Sequence, residues 1–511
     1  MKMKKSVLIY FTWQLRPAHH SIVIQELDKT LERDDVGKVY FITCGGSLKP
    51  CYTNREGNPS TCILCKFHKN TALDKYKKRI NHIELNDKNL NLGKYTEEYT
   101  YNSVDEIKKI KYKDCFIGYG ALSSYISFTR NLEPQMDMQF RSYFDKMLNN
   151  QKALGDYFKD FIQSNEIEEV LFFNGRTSNV RPLYDISKAL KIEFHSLELI
   201  KSSDLDYRVN KFKNSLPHDI EFHHQRMSET WNDSSTTLNE KIEIGSSFFE
   251  NRRKGILTRD RKVYTNNQRS GELPNKWNNE IDNIVIFSSS EDEFASIGDI
   301  FESKALFPSQ EKGLKEIFDN FKDDETVHFY LRVHPNLNEV NYQYHKRLYD
   351  FEKNYRNVTV ISSSSTVNSY TLMDAADKVI VFGSSTGVEA CYWGKPVILL
   401  GGSFYYYLDV AYKPSTVDEI YGLIKNELTP KPKIDAIQYG YYLMNYKEYT
   451  LPNSQDPQSL NILGFNLGLG FDFLKSHNSK TIFKIKEKGL KRILNYKKEK
   501  LYPLPLKEKL K

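Results

Sequence analysis

The sequence predicts an α/β protein made of two Rossmann-like units that face each other across a cleft. Two observations carry that expectation. Short, nearly all-apolar segments such as Glu169–Phe173 (EVLFF) and Lys378–Phe382 (KVIVF) read as strands buried on both faces, the pattern of a parallel sheet. Helix-like stretches alternate with them, which is the order that βαβ units require.

The N-terminal unit spans about 1–204. Ser6–Thr12 (SVLIYFT) is a β-rich run, followed by the polar loop Trp13–His20, the helix-like Ile22–Leu31 and the strand Val39–Thr43. Glu169–Phe173 leads through Asn174-Gly175-Arg176 to a helix near Pro182–Leu190 and a strand at Ile192–Leu197. Residues 205–280 are polar with weak strand signal and read as the connection between units. A second series, within 281–430, holds the strands Ile284–Phe287, His328–Val333, Val358–Ile361, Lys378–Phe382 and Pro396–Leu400. Residues 431–511, an aromatic segment and a basic tail, are assigned to neither sheet.

Composition narrows the function. Of 511 residues, 39% are hydrophobic and 13% aromatic, enough for two cores and too much for a disordered chain. The net charge is +7, but Lys475–Lys511 alone carries 13 Lys and Arg against three Glu, leaving the rest slightly acidic. A basic tail suits an anionic membrane surface or simple solubility. Charge confined to a tail argues against nucleic acid as a partner. The apolar run after Met1–Lys5 is short, and no stretch approaches the roughly 20 apolar residues of a membrane span. The expectation is a cytoplasmic protein, peripheral on the inner face of the membrane.

Candidate donor-site residues cluster after the strands of the second unit. Phe382 leads into Gly383-Ser384-Ser385-Thr386-Gly387 and then a helix. A Gly and hydroxyl turn between strand and helix lets backbone N–H groups approach a phosphate. Glu389, one turn into the helix, is placed to accept from ribose hydroxyls. An ordinary Ser-capped turn has the same look. His334-Pro335 ends the strand that carries Arg332, and an imidazolium there can stabilise or protonate a leaving phosphate. Ser288–Glu293, with Ser289 and Ser290, and Ser362–Ser365, with Ser364, follow two further strands and extend a polar rim.

Taken in order, FSSSEDEF, LRVHPN, SSSSTVNSYTLMDAAD and FGSSTGVEACYWGKPVILLG resemble bacterial capsule and surface-polysaccharide biosynthesis proteins of the GT-B class, most clearly over 281–410. NGR at Asn174–Arg176 with Glu198 downstream resembles the N-terminal half of that group. The arrangement also resembles bacterial sialyltransferases with an His-Pro motif, in which the His and a later Ser pair hold the phosphate of a CMP-sugar. That resemblance implies that His334, Ser384 and Ser385 hold the donor phosphate. The acidic base motif of those sialyltransferases has no convincing counterpart, so donor sugar and stereochemistry stay open.

The resemblance places a glycan or lipid-linked acceptor on the N-terminal unit. Asn174, Arg176 and Arg181 are its candidate binding residues, and Arg16, His19 and His20 lie at another strand end. Arg pairs well with carboxylate or phosphate. Glu198 is the candidate base or nucleophile; local salt bridges are the plainer reading. The function implied is transfer of a sugar from a nucleotide-sugar donor in capsule or lipopolysaccharide assembly. Polyol-phosphate transfer of the teichoic-acid type is an alternative, as is a non-catalytic polysaccharide-binding or export protein. Amides, hydroxyls and His334 can carry the leaving charge, so no catalytic divalent metal is expected.

Cys44-x6-Cys51-x10-Cys62-x2-Cys65 is separate chemistry. A CxxC pair with two further thiols fits a closed four-ligand site, structural zinc first, with an iron–sulfur cluster or free thiols as alternatives. Cys115 and Cys391 read as buried small hydrophobes.

Overall fold

The computed structural model describes residues 4–12, 17–55, 57–201, 207–256, 265 and 268–445, with the short stretches 449–451, 461–462 and 465–466. Arg16, and the tail from 475 onward with its proposed membrane contact, lie outside the described residues.

The first sheet contains β1 (Lys5–Phe11), β2 (Val36–Cys44), β3 (Asn81–Leu85), β4 (Ile167–Phe173), β5 (Glu193–Lys201) and β6 (Tyr207–Lys213). The second contains β7 (Asp282–Phe287), β8 (Val327–Arg332), β9 (Val358–Ile361), β10 (Lys378–Val381) and β11 (Val397–Leu399). A further strand, β12 (Tyr449–Leu451), returns to the first sheet. The spatial orders are β12-β6-β5-β4-β1-β2-β3 and β11-β10-β7-β8-β9. The second sheet is wholly parallel. The first is parallel from β5 to β3 and antiparallel where β6 and β12 pair at its edge.

The apolar runs become strands because both faces are covered. Along β1, Leu8 and Tyr10 face one core, with Phe144, Leu148 and Phe158 of the helix Met138–Ser164. Val7, Ile9 and Phe11 face the other, with Ile22, Val23 and Leu27 of the helix Pro17–Glu32. This alternation is the strand period of two. The second sheet repeats the plan: Ile284 and Ile286 face the helices Gln310–Phe321 and Gln343–Asn354. Val285 and Phe287 face the opposite core.

Two expectations about chain organisation are revised. The stretch 205–280 is more than a connection: it supplies β6, and its helices Ile220–Asn232 and Leu238–Arg253 give Met227, Phe248 and Phe249 to the second unit's core. The helix Ile434–Asn445 joins that core with Ala436, Ile437, Tyr439 and Tyr442. It crosses Leu238–Arg253 so closely that a Cβ on Gly245 would stand 2.3 Å from the Ile437 carbonyl oxygen, and one on Gly440 2.4 Å from that of Gly245. Glycine at both positions permits the crossing. β12 then places this last segment in the first sheet.

One arginine ties the units together. Arg130 follows the helix Ile117–Thr129 in the left-handed region at φ +58°, which turns its side chain toward the second unit. Its Nε and Nη2 donate to the two Asp292 oxygens at 2.6 and 3.1 Å, its Nη1 to the Asn336 carbonyl at 2.9 Å, and Nη2 also to Ser290 Oγ at 3.1 Å. Tyr342 and Tyr344 return hydroxyl bonds to the carbonyls of Thr129 and Arg130. Among the described residues no helix is long and apolar enough to cross a membrane.

Arg130→Ala leaves the nearly buried Asp292 without its cation. The expected loss of stability is on the order of 2–3 kcal/mol, read as a lower denaturation midpoint. An unchanged midpoint contradicts this view of the junction.

Candidate active site

Register brings the predicted donor residues to one edge. Val381 pairs with Phe287, Phe287 with Arg332, and Arg332 with Ile361. The turns that follow β10, β7, β8 and β9 therefore leave the sheet side by side, at the C-terminal edge where open α/β sheets bind ligands.

His334 is held by both neighbours. Its backbone N–H donates to Ser288 Oγ at 2.8 Å. The Asn336 N–H donates to His334 Nδ1 at 3.1 Å. A neutral ring with Nδ1 accepting carries its proton on Nε2, which makes Nε2 a donor. Pro335 opens the short turn Pro335–Leu337 and fixes the backbone there.

At the end of β10, Gly383 takes φ +108°, and a Cβ would stand 2.3 Å from the Gly402 carbonyl oxygen. Ser384 Oγ donates to Thr386 Oγ1 at 3.1 Å and accepts from the Thr386 N–H at 3.3 Å. Ser385 is half-buried and precedes the helix Thr386–Tyr392. That helix has seven residues, so hydroxyls and turn amides outweigh any dipole in this site.

Three residues expected to face ligand do not. Arg332 is 2% exposed and donates to the carbonyls of Ser362 and, at 3.2 Å, Ser365. Burial lowers its pKa to about 10. It shapes the Ser362–Ser365 loop, on which Ser364 is exposed with Oγ 3.3 Å from Ser362 Oγ. Glu389 is buried, accepts from the Tyr370 hydroxyl and pairs with Arg252 Nη2 at 2.9 Å. Both its oxygens are engaged inside the core, which leaves ribose no place on them. Arg181 is buried, with Nε donating to Asp185 at 2.8 Å, beneath the helix Ile117–Thr129 rather than at an acceptor surface.

Ser289 and Ser290 divide in role. The Ser289 N–H donates to Gln310 Oε1 at 2.7 Å, and its buried hydroxyl has no hydrogen-bond partner. Ser290 Oγ donates to Asp292 and accepts from Arg130 and Asn336, so it belongs to the junction.

Across from this edge, Asn174 and Gly175 take positive φ (+62° and +95°) after β4. Asn174 Nδ2 donates to Glu198 Oε2 at 2.6 Å, and the Leu199 N–H donates to Oε1 at 3.1 Å. Burial raises the Glu198 pKa, while these bonds and the Arg176 charge oppose the rise. Arg176 reaches over the cleft, 3.4 Å from Ser127 Oγ and 3.5 Å from the Glu293 carbonyl oxygen. His218, on the loop after β6, was invisible in the sequence. Burial holds it well below the ordinary imidazole range, and Arg176 and His223 add to that, so it stands neutral beside Arg176. His19 stacks on Phe173 at 4.2 Å; nothing is described of the His20 side chain.

A further cavity of about 750 Å³ opens between the units, lined by Lys108, Ile126 and Leu132 on one side and Ser289, Glu291 and Gln310 on the other. Burial pushes Glu291 up to about 7. The cysteines expected to bind metal lie beside β2, and none of the four is in a disulfide. Glu169, Glu193 and His195 bring three ligand atoms within 4.8 Å, but at the opposite edge of the first sheet, where Arg33 and Lys213 pair with the carboxylates.

Two α/β units that meet at a cleft, with candidate residues at strand ends on both sides, define a GT-B-like architecture. Residues 301–418, which include His334 and the Gly383 turn, match the family model described as capsule polysaccharide biosynthesis protein. No curated protein matches the chain. Similar solved structures include the KpsC β-Kdo 2,4 transferase of Thermosulfurimonas dismutans, at 14% identity, covering 56% of this chain and 81% of that one, TM-score 0.34. The KpsC β-Kdo 2,7 transferase of the same organism has 15% identity, coverage of 59% and 87%, and TM-score 0.32. A UDP-GlcNAc 2-epimerase of Neisseria meningitidis bound to UDP-GlcNAc has 12% identity, coverage of 86% and 99%, and TM-score 0.21.

Glu291 yields a pH prediction. A carboxyl that titrates near 7 when folded and about 4.3 when unfolded stays protonated in the fold after the unfolded chain has lost its proton. Stability therefore falls as pH rises between those values. Glu291→Gln flattens that fall in denaturation curves taken from pH 4.5 to 7.5; an unchanged slope contradicts the assignment.

Proposed function

We propose that the chain is a glycosyltransferase of capsule polysaccharide assembly. It moves a sugar from a nucleotide-sugar donor on the second unit to a glycan or lipid-linked acceptor on the first. The observation that carries the reading is the alignment of His334, Ser288–Ser289 and Ser384–Ser385 on three adjacent parallel strand ends, with Arg176, which lies near Glu198, reaching the Glu293 carbonyl of the second unit. The match of residues 301–418 to the capsule family model supports the same reading.

In this mechanism the donor phosphate lies against Ser384, Ser385 and the turn amides. His334 Nε2 donates to a phosphate oxygen as the bond to the anomeric carbon breaks, which spreads the charge of the leaving nucleotide. Glu198, made more basic by burial and oriented by Asn174, accepts the proton of the attacking acceptor hydroxyl. Arg176 holds an anionic group of the acceptor. The leaving charge is met by hydroxyls, amides and imidazole, so transfer proceeds in the presence of EDTA. A CMP-linked donor is the first choice, on the likeness of His334 and the Ser384–Ser385 pair to sialyltransferases with an His-Pro motif.

A thermal-shift comparison of CMP, CDP and UDP and their sugar and polyol conjugates identifies the donor; a CDP-polyol as the sole stabilising conjugate replaces sugar transfer with polyol-phosphate transfer. With the true donor, His334→Ala lowers turnover about 10²–10³-fold and keeps the wild-type fold. Glu198→Gln lowers it about 10²–10⁴-fold while the nucleotide still stabilises the protein. Wild-type turnover in His334→Ala contradicts the reading.

A further inference from the structure

Four cysteines converge beside the end of β2, apart from the donor and acceptor residues. Cys44 closes β2, Cys51 lies on the following loop, and Cys62 and Cys65 share a face of the helix Pro59–Leu73, three residues apart.

The loop wraps its donors around the sulfurs. The Gly46 N–H donates to Cys44 Sγ at 3.2 Å, and Cys62 Sγ stands 3.9 Å from the Gly46 carbonyl oxygen. Gly46 has φ +94°, and a Cβ there would sit 3.3 Å from Cys62 Cβ. The Asn54 N–H donates to Cys51 Sγ at 3.3 Å, and Asn54 Nδ2 to Cys62 Sγ at 3.2 Å. Gly46 and Asn54 thus each bridge two sulfurs, and three of the four sulfurs receive an N–H. A thiol is a weak acceptor that gains little from such donors, whereas a thiolate in a cluster spreads charge onto them. Two cations stand on the same helix: Lys66 and the buried Lys69, both paired with Glu84.

The spacing of the thiols favours one metal centre over the other. One tetrahedral zinc ion, about 2.3 Å from each sulfur, draws the sulfurs to about 3.8 Å from one another. Among the described residues no three of the four cysteine sulfurs lie within 4.8 Å of one another; the group that does is Glu169, Glu193 and His195. A cluster keeps its cysteine sulfurs farther apart, because iron and sulfide stand between them.

We propose that Cys44, Cys51, Cys62 and Cys65 ligate an iron–sulfur cluster. This reverses the order suggested by the sequence, which placed zinc first. Each thiol gives up its proton on ligation, and iron and sulfide enter as a cluster delivered by cellular assembly. The cluster braces the wall of the cleft. On the same loop, Arg55 Nη1 donates to the Phe128 carbonyl at 3.2 Å and Tyr52 lies 6.0 Å from the Phe128 ring, two residues before Arg130.

The test is elemental analysis of the full chain purified without oxygen and, in parallel, reconstituted with ferrous iron and sulfide. The expected result is iron and acid-labile sulfide in comparable amounts, with visible absorption that dithionite bleaches. Cys51→Ser loses most of both, and Cys115→Ser, buried elsewhere, keeps them. Zinc without sulfide overturns the proposal, as does a chain that takes up neither iron nor sulfide on reconstitution. Both of these results are read on the wild-type chain, so a variant that fails to fold does not alter them.

Discussion

Parallel strands deliver every strand-to-helix turn to the same edge of a sheet, and the candidate chemistry depends on that constraint. Where β10, β7 and β8 lie in register, with Val381, Phe287 and Arg332 in line, the next residues have nowhere to go but a shared rim. His334, Ser288 and Ser384 become neighbours although 96 positions separate the first and last of them in sequence. The apolar faces that hold the register, Val285, Phe287, Val379 and Val381 on one side and Ile284, Ile286 and Leu331 on the other, are thus also what places the polar rim.

The rim needs an opposing surface, and Arg130 fixes where that surface stands. It contacts Asp292, Ser290 and Asn336, and two of these residues border the candidate donor turns directly: Ser290 follows Ser288–Ser289, and the Asn336 N–H orients the His334 ring. A bond that joins the two units therefore also reaches the imidazole. The loop of the cysteine quartet packs on Phe128, in the same stretch. Junction, candidate donor turn and cysteine loop form one connected structure around the cleft.

Much of this was legible in the sequence where a local pattern reports directly on a local structure. The buried strands of both sheets stood out because apolar residues on consecutive positions have few other uses. Gly383 and the hydroxyls after it marked a turn that φ +108° requires. The failures share a cause: partners distant in sequence. Glu389 and Arg332 carry the right chemistry at the right distance from a strand end, yet Arg252, Tyr370 and the Ser362–Ser365 carbonyls claim them. Arg181 is the exception, claimed by Asp185 one turn on in its own helix. His218 lay in a polar stretch without a motif, and only folding sets it beside Arg176. The helix Met138–Ser164, with a clear apolar stripe and an Asp137 cap, was readable but overshadowed by the strand signals.

The central claim is a place: the donor phosphate rests on the rim formed by β10, β7 and β8. A crystal structure of the chain with its stabilising nucleotide tests this directly. The expected result is a phosphate oxygen within hydrogen-bonding distance of His334 Nε2 and of the Ser384 or Ser385 hydroxyl, with the base and ribose extending away from Glu389. A nucleotide seated instead in the cavity between Lys108 and Gln310, with His334 untouched, would contradict it.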